Sequence, residues 1–431
     1  MKAKKINIIT LGCSKNTVDS ERILGHLSLA GFAVLHNADA HAADTVVINT
    51  CGFTADAKDE SIEMILKMAY AKREGIIKRL YVMGCLCERY RRELQEELPE
   101  VDALFGVNDF RQIVAEVTGM PMEPGVARKL TTPSHYAYLK ISEGCNWGCG
   151  YCAIPLIRGP HVSVPQEVLL REAQELAAKG VKELIVIAQD TTYYGLDLYG
   201  ERRLGQLLRA LCKIDGIEWV RLHYAYPAHF PDDVIEAMAE ESKICKYLDI
   251  PFQHISDNML SSMRRGITKA ETLALIDKLR REVPGIAIRT TLITGYPGES
   301  NSDFEELTEF VRQCRFDRLG VFTYSEEEGT YSAKNLKNNV PQRKKEERRA
   351  TIMSIQEEIS LDNNINKMQG TVQKVIIDRI EEGFYVGRTQ YDSPEVDQEV
   401  LIEAQVPLTV GDFYDVRIDK ADMFDLYAHI V

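Results

Sequence analysis

Residues 143–152 read EGCNWGCGYC and set Cys145, Cys149 and Cys152 in the spacing C-x3-C-x2-C. Three thiolates from one tight loop can hold three irons of a cubane iron–sulfur cluster. The fourth iron then has no protein ligand, and a small chelating molecule can bind there and be reduced. Zinc is the competing reading. Structural zinc takes four ligands, commonly as two C-x2-C pairs, and four-cysteine ferredoxin spacings also differ from this one. The spacing therefore favours an open cluster.

The loop directly follows the strand-like run YAYLKIS (136–142). From about 134 to 340, further such runs alternate with amphipathic helix patterns. They are ELIVIAQD (183–190), WVRLHYAYP (219–227), YLDIPFQH (247–254), IAIRTTLITGYPG (286–298) and RLGVFTYS (318–325). PQEVLLREAQELAAKG (165–180) is one helix pattern, with a glycine at its end. Strand–helix alternation implies a parallel sheet, and six such units predict a partial (β/α)6 barrel, an open relative of the eightfold one. Active-site residues of such barrels sit at strand ends, which here carry Gln189, Asp190, His223, Gln253, His254, Arg289 and Tyr324. For any one of them, a structural hydrogen-bonding role competes with a catalytic one. The run TGYPGE (294–299) could let backbone approach a ligand, or be an ordinary turn.

A second trio is scattered along the first 120 residues. Cys13 ends KINIITLGC, Cys51 ends TVVINTC and Cys85 ends RLYVMGC. Each follows a short apolar, β-branched run that reads as a buried strand. Helical stretches at 17–30, 55–72 and 88–97 follow. In a parallel α/β sheet the ligand site lies outside the carboxyl ends of the strands. The three thiols should therefore converge on one edge as a second cluster site. Buried core thiols are the alternative, and Cys87 could replace Cys85 as the third ligand. Cys85 is preferred because it repeats the strand-then-cysteine context.

The 431-residue chain, 45% hydrophobic, implies two to four domains. No apolar run reaches membrane-spanning length, and the N-terminal MKAKKINIITLGC reads as a first strand and not as a signal segment. A cytoplasmic protein with ten cysteines points to metal or redox chemistry, not disulfides. Cys212, Cys245 and Cys314 read as free, mostly buried thiols. VTGMPMEPGVARKLTTPSHY (117–136) reads as a linker, and 341–368 as a charged helix opened by Pro341, whose KKEERR run reads as a solvated face. From 369 to the end, short strands suggest a small antiparallel β-barrel of a polymer-binding kind. The expected divisions are thus 1–120, 134–340, 341–368 and 369–431.

Together these motifs resemble the radical S-adenosylmethionine methylthiotransferases over the whole chain. The N-terminal LGC, NTC and GC cysteines, the EGCNWGCGYC loop and a TRAM-like C-terminal barrel occur in that family's order. LGCSKNTVDSE, QDTTYYGLDLYG, HYAYP, YLDIPFQH and TYSEEEGTYSA are most similar to the RimO-type branch, which modifies a ribosomal protein. The resemblance implies two 4Fe–4S clusters. Cys145, Cys149 and Cys152 would hold the one that chelates S-adenosyl-L-methionine and cleaves it to a 5′-deoxyadenosyl radical. Cys13, Cys51 and Cys85 would hold an auxiliary cluster for sulfur delivery, and a second S-adenosylmethionine would supply the methyl group. Tyr151, Gln189 and Arg289 are candidate cofactor-binding residues, with Tyr151 placed to pack on the adenine or simply to pack the loop. The implied substrate is the β-carbon of an aspartate on small-subunit ribosomal protein S-twelve, and the implied electron donor is a flavodoxin or ferredoxin. Radical chemistry also needs water excluded, which a barrel mouth capped by a second domain would provide.

Charge separates the substrate classes. Residues 369–431 carry five basic and thirteen acidic side chains, a net of −8, within a chain whose net charge is −13. RNA binding draws on Lys and Arg to neutralise phosphates. So acidic a tail disfavours tRNA and suits a basic protein. Methylthiolation of a tRNA adenosine is the runner-up reading. A two-cluster electron carrier is a third, but it leaves the barrel and the tail without a use.

Overall fold

The computed structural model describes residues 5–120, 127–403 and 406–431. Part of the expected linker (121–126) and the start of the N-terminal run lie outside them. The described chain forms two compact units. The first contains the residues up to Thr132, together with Glu143–Trp147 and Ala153–Val162. The second contains Pro133–Ser142, Gly148–Cys152 and Ser163–Val431. The 143–152 loop is therefore divided, Cys145 falling in the first unit and Cys149 and Cys152 in the second.

The first unit is built on a five-stranded parallel sheet. Its strands are β1 (Lys5–Thr10), β2 (Ala33–His36), β3 (Thr45–Thr50), β4 (Arg79–Gly84) and β5 (Ala103–Phe105), in the order β2-β1-β3-β4-β5. The continuous apolar runs are explained by burial on both faces. Val46, Ile48, Leu80 and Val82 face one core with Ile65, Met68 and Leu94. Their neighbours Val47, Tyr81 and Met83 face the other, with Ile23, Leu24 and Ile113. These faces are covered by α2 (Ala55–Arg73) and α3 (Cys85–Glu97) on one side, and by α1 (Ser14–Leu29) and α4 (Phe110–Thr118) on the other. The short β2 and β5 and the helix α4 escape the sequence reading because none carries a long periodic pattern.

The second unit holds a six-stranded parallel sheet, as the alternation predicts. Its strands are β6 (Tyr136–Lys140), β7 (Glu183–Ile187), β8 (Trp219–Leu222), β9 (Ile244–Asp249), β10 (Ala287–Thr294) and β11 (Arg318–Thr323). They run in the order β11-β10-β9-β8-β7-β6. A five-stranded closed barrel follows, formed by β12 (Val372–Glu381), β13 (Phe384–Thr389), β14 (Glu399–Glu403), β15 (Phe413–Ala421) and β16 (Asp425–Ile430). It is not wholly antiparallel, because β14 and β16 pair in parallel.

The tail barrel and the six-stranded sheet share a core. Trp219, Cys245, Tyr247 and Ala287 pack with Ile376, Tyr391 and Phe413. Glu183, fully buried, receives Arg221 at 2.6 Å and Arg388 at 2.8 Å. Burial alone would raise its pKa, but the two guanidinium groups hold it below the ordinary value. Arg388 and His135 both bind Asp378, at 2.6 and 2.7 Å. His135, Lys182 and Glu218 each precede a strand and pair with Asp378, Asp412 and Lys374. The tail therefore packs at the amino ends of β6–β8. Its Ser393 also reaches His223, just past the carboxyl end of β8.

The charged helix, Gln342–Asn363, begins after Pro341 as expected. Its KKEERR run is not wholly solvated, because Lys345 is 2% exposed and Arg348 3%. Arg348 binds the fully buried side chain of Glu299 at 2.7 Å, and the Lys345 ammonium donates to the Tyr324 carbonyl at 3.0 Å.

Candidate functional site

The carboxyl ends of β1, β3 and β4 lie level, with Thr10 opposite Asn49 and Thr50 opposite Gly84. The chain turns immediately after each, so Cys13, Cys51 and Cys85 share one edge. Two glycines make the approach feasible. Gly12 has φ +88°, and a Cβ there would lie 2.7 Å from the Cys51 Cβ. Gly84 has φ +100°, and a Cβ there would lie 2.5 Å from the Thr50 carbonyl oxygen. No L side chain fits either position without strain. Asn16 fastens the turns by donating to the carbonyls of Leu11 (2.9 Å) and Thr50 (3.0 Å). The Cys51 amide donates to Ser61 Oγ at 3.0 Å.

The thiols sit in unequal fields. Burial pushes the Cys13 thiol up, but Lys15, Arg158 and backbone amides at the start of α1 outweigh it, so its pKa lies below the ordinary value. Cys51 is pushed up to about 12, first by burial and then by the neighbouring Cys85. Cys87 lies apart, fully buried in the apolar core with Ile48, Leu80 and Val82, whereas Cys85 packs with Val107, Ala153 and Ile157. The structure therefore keeps Cys85, not Cys87, beside Cys13 and Cys51.

In the second unit the loop is anchored through its backbone. The Gly150 amide donates to the Met263 carbonyl, and the Gly150 carbonyl accepts from the Ser332 amide, both at 2.8 Å. Cys149 and Cys152 are half-buried. Arg265 reaches Cys149 Sγ at 3.5 Å and the Tyr151 hydroxyl at 3.2 Å. The Tyr226 hydroxyl lies 3.4 Å from Cys149 Sγ. Tyr151 packs against Met259, Met263, Tyr296 and Tyr324.

The strand-end candidates divide. Gln189 and Asp190 lie two and three residues past the end of β7, and Asp190 accepts from the amide (2.8 Å) and hydroxyl (2.7 Å) of Thr192. His223 follows β8 and contacts Ser393 of the tail at 2.9 Å. His254 is fully buried, its Nδ1 accepting from the Ile255 and Ser256 amides, which marks it as structural. Gln253 has φ +72° in the extended link after β9. Tyr324, beyond β11, is buried against Tyr296. Arg289 departs from expectation. It is the third residue of β10, not its end, and its guanidinium is held by Asp249 (3.1 Å) and by Asp397 of the tail (3.3 Å). TGYPGE likewise forms a structural node, in which Glu299 binds both the Gly295 amide and Arg348.

The chain has matches to known families along its length. Residues 5–106 match the uncharacterized protein family UPF0004, 139–311 the radical SAM superfamily and 370–431 the TRAM domain. Proteins named ribosomal protein uS12 methylthiotransferase RimO, from Phocaeicola vulgatus and Porphyromonas gingivalis, are each 53% identical over all of both chains. The chain belongs to the RimO family of methylthiotransferases. Like them it is a radical SAM transferase. In fold it is also similar to the radical S-adenosylmethionine methyltransferase TsrM from Kitasatospora setae, at TM-score 0.56 and 15% identity, over 74% of this chain and 73% of that one.

Against this family background, three residues near the thiols stand out that the sequence reading missed: Arg158, Tyr226 and Arg265. Arg158 is the one charge in the apolar run AIPLIRGP (153–160), a signal available in the sequence. Arg265, in MRRGITK, has the look of a solvated basic residue, yet it is only 2% exposed and lies 4.3 Å from the Tyr226 ring centroid.

Proposed function

We propose that this methylthiotransferase modifies the β-carbon of an aspartate on ribosomal protein uS12. We further propose that it uses two 4Fe–4S clusters, one held by Cys145, Cys149 and Cys152 and one by Cys13, Cys51 and Cys85. The observation that carries the reading is the convergence of Cys13, Cys51 and Cys85 on one sheet edge, in a chain 53% identical to uS12 methylthiotransferases. The donor set supports iron–sulfur chemistry, since it is all soft thiol. Among the described residues, no group of three or more His, Cys, Asp or Glu could hold a single metal ion.

When bound, the clusters would supply reductive cleavage of S-adenosyl-L-methionine and the sulfur to be methylated and transferred. The protein's part is geometry. Tyr151, packed against Met259 and Met263, offers an aromatic face beside Cys152 for the adenine. Gln189 follows a strand toward the same mouth. Arg265 spreads positive charge over Cys149. Arg289, the other candidate for the cofactor, is held by Asp249 and Asp397 between sheet and tail. The divisions 1–120, 134–340, 341–368 and 369–431 would serve auxiliary cluster, radical chemistry, linkage and substrate binding. A low-potential flavodoxin or ferredoxin would supply electrons in the cytoplasm. No described helix is long and apolar enough to cross a membrane.

The acidic tail supports a basic protein partner over tRNA, though its count overstates the outward charge. Asp392, Asp397 and Asp412 are paired with Arg318, Arg289 and Lys182, which lie outside the tail. The test is anaerobic reconstitution with S-adenosylmethionine, a reductant and either uS12 or bulk tRNA, read by mass spectrometry. A methylthio group on an aspartate peptide is expected. The same group on a tRNA adenosine would overturn the substrate.

A further inference from the structure

Arg158 is the last residue of α5 (Ile154–Arg158), belongs to the first unit and is 4% exposed. A guanidinium this buried needs strong partners. Its Nη1 donates to Glu143 at 2.9 Å and Asp19 at 3.3 Å. Its Nη2 donates to Asn16 Oδ1 at 2.6 Å and to Cys85 Sγ at 3.4 Å. The Asn16 side chain also ties together the turns after β1 and β3. Through Nη2 alone the guanidinium therefore grips a thiol and the residue that ties the turns carrying the other two thiols. α5 follows the EGCNWGCGYC loop within two residues, so the loop that carries one trio also supplies this contact to the other.

We propose that Arg158 is a positioning residue for the auxiliary cluster, its N–H group hydrogen-bonded to Cys85 Sγ and its charge offsetting that of the thiolates. This rests on the reading of Cys13, Cys51 and Cys85 as cluster ligands. A permanent cation and an N–H···S bond both draw electron density from the ligating sulfur. They favour the more negative, reduced state and so raise a cluster's reduction potential. Lysine would keep the charge but lose the fork, which holds Glu143 and Asp19 on one nitrogen and Asn16 and Cys85 on the other.

The test uses the full chain with Cys145, Cys149 and Cys152 replaced by Ala, so that one cluster remains. Its midpoint potential is measured by EPR-monitored titration, alongside iron content and the near-ultraviolet dichroism of the fold. Arg158→Gln is expected to shift the midpoint to more negative potential, and Arg158→Lys to shift it less. An unchanged midpoint in Arg158→Gln with full iron content would overturn the inference. Loss of iron in Arg158→Gln but not in Arg158→Lys, with the fold intact, would support positioning through charge. Equal loss in both, with the fold intact, would assign the role to the fork. Unfolding of both variants would reduce Arg158 to a structural ion pair and end the proposal. Absence of iron from the parent triple variant would instead sink the cluster reading itself.

Discussion

At the scale of single residues, small local choices decide which thiols meet. Cys85 and Cys87 are two residues apart, yet only Cys85 faces the edge with Cys13 and Cys51. Cys85→Ala should therefore remove the iron of the auxiliary site, whereas Cys87→Ala should keep it and cost about 1 kcal/mol of packing; iron analysis and urea unfolding distinguish the two. Gly84→Ala should cost about 1–3 kcal/mol in backbone strain, with a further clash at Thr50, and lower the melting temperature. Asp303 allows a pH test. Burial pushes its carboxyl up, but hydrogen bonds from Ser256, Ser300 and Asn258 prevail and hold it at about 2. Since its folded pKa is depressed, its contribution is present above the unfolded value of about 3.9 and fades as pH falls toward 2. The stability gap between wild type and Asp303→Asn, measured by urea unfolding, should shrink from pH 5 down to pH 2. A constant gap would contradict this.

At the scale of elements, the helix Gln342–Asn363 shows how charge misleads. Its alternating acids and bases resemble a solvated rod, but two of its cations enter the core. Arg348→Ala would leave Glu299 as a buried carboxylate without its cation, at a cost of about 3 kcal/mol or more. Arg349→Ala, on the exposed face beside it, should change stability by less than about 0.5 kcal/mol. Chemical denaturation of the two variants tests the distinction. The strands were more legible, because runs such as TVVINT and ELIVI have no polar face to mislead. The parallel β14–β16 pairing was not, since nothing in a short strand states which neighbour it will choose.

At the scale of the molecule, the tail barrel and the six-stranded sheet behave as one folding unit. Trp219, Cys245 and Tyr247 are covered by Ile376, Tyr391 and Phe413, and Glu183 takes one of its two cations from the tail. A chain ending at residue 368 should therefore expose apolar surface and leave Glu183 half-paired. It is expected to bind a hydrophobic dye and melt well below the full chain; equal melting temperatures would show that the shared core contributes little.

The sequence by itself determined the chemistry-bearing spacings, the alternation of strand and helix, and the placing of each cysteine after a strand. These are local properties, set by loop length and side-chain periodicity. Only the tertiary structure decided which strand ends the tail packs on, that Arg289 is tied to Asp249 and Asp397, and that Arg158 reaches Cys85. Such contacts join residues far apart in the chain, Arg158 to Asn16 or Asp378 to His135. No local pattern encodes them, because burial and charge pairing choose the partners only once the layers have packed.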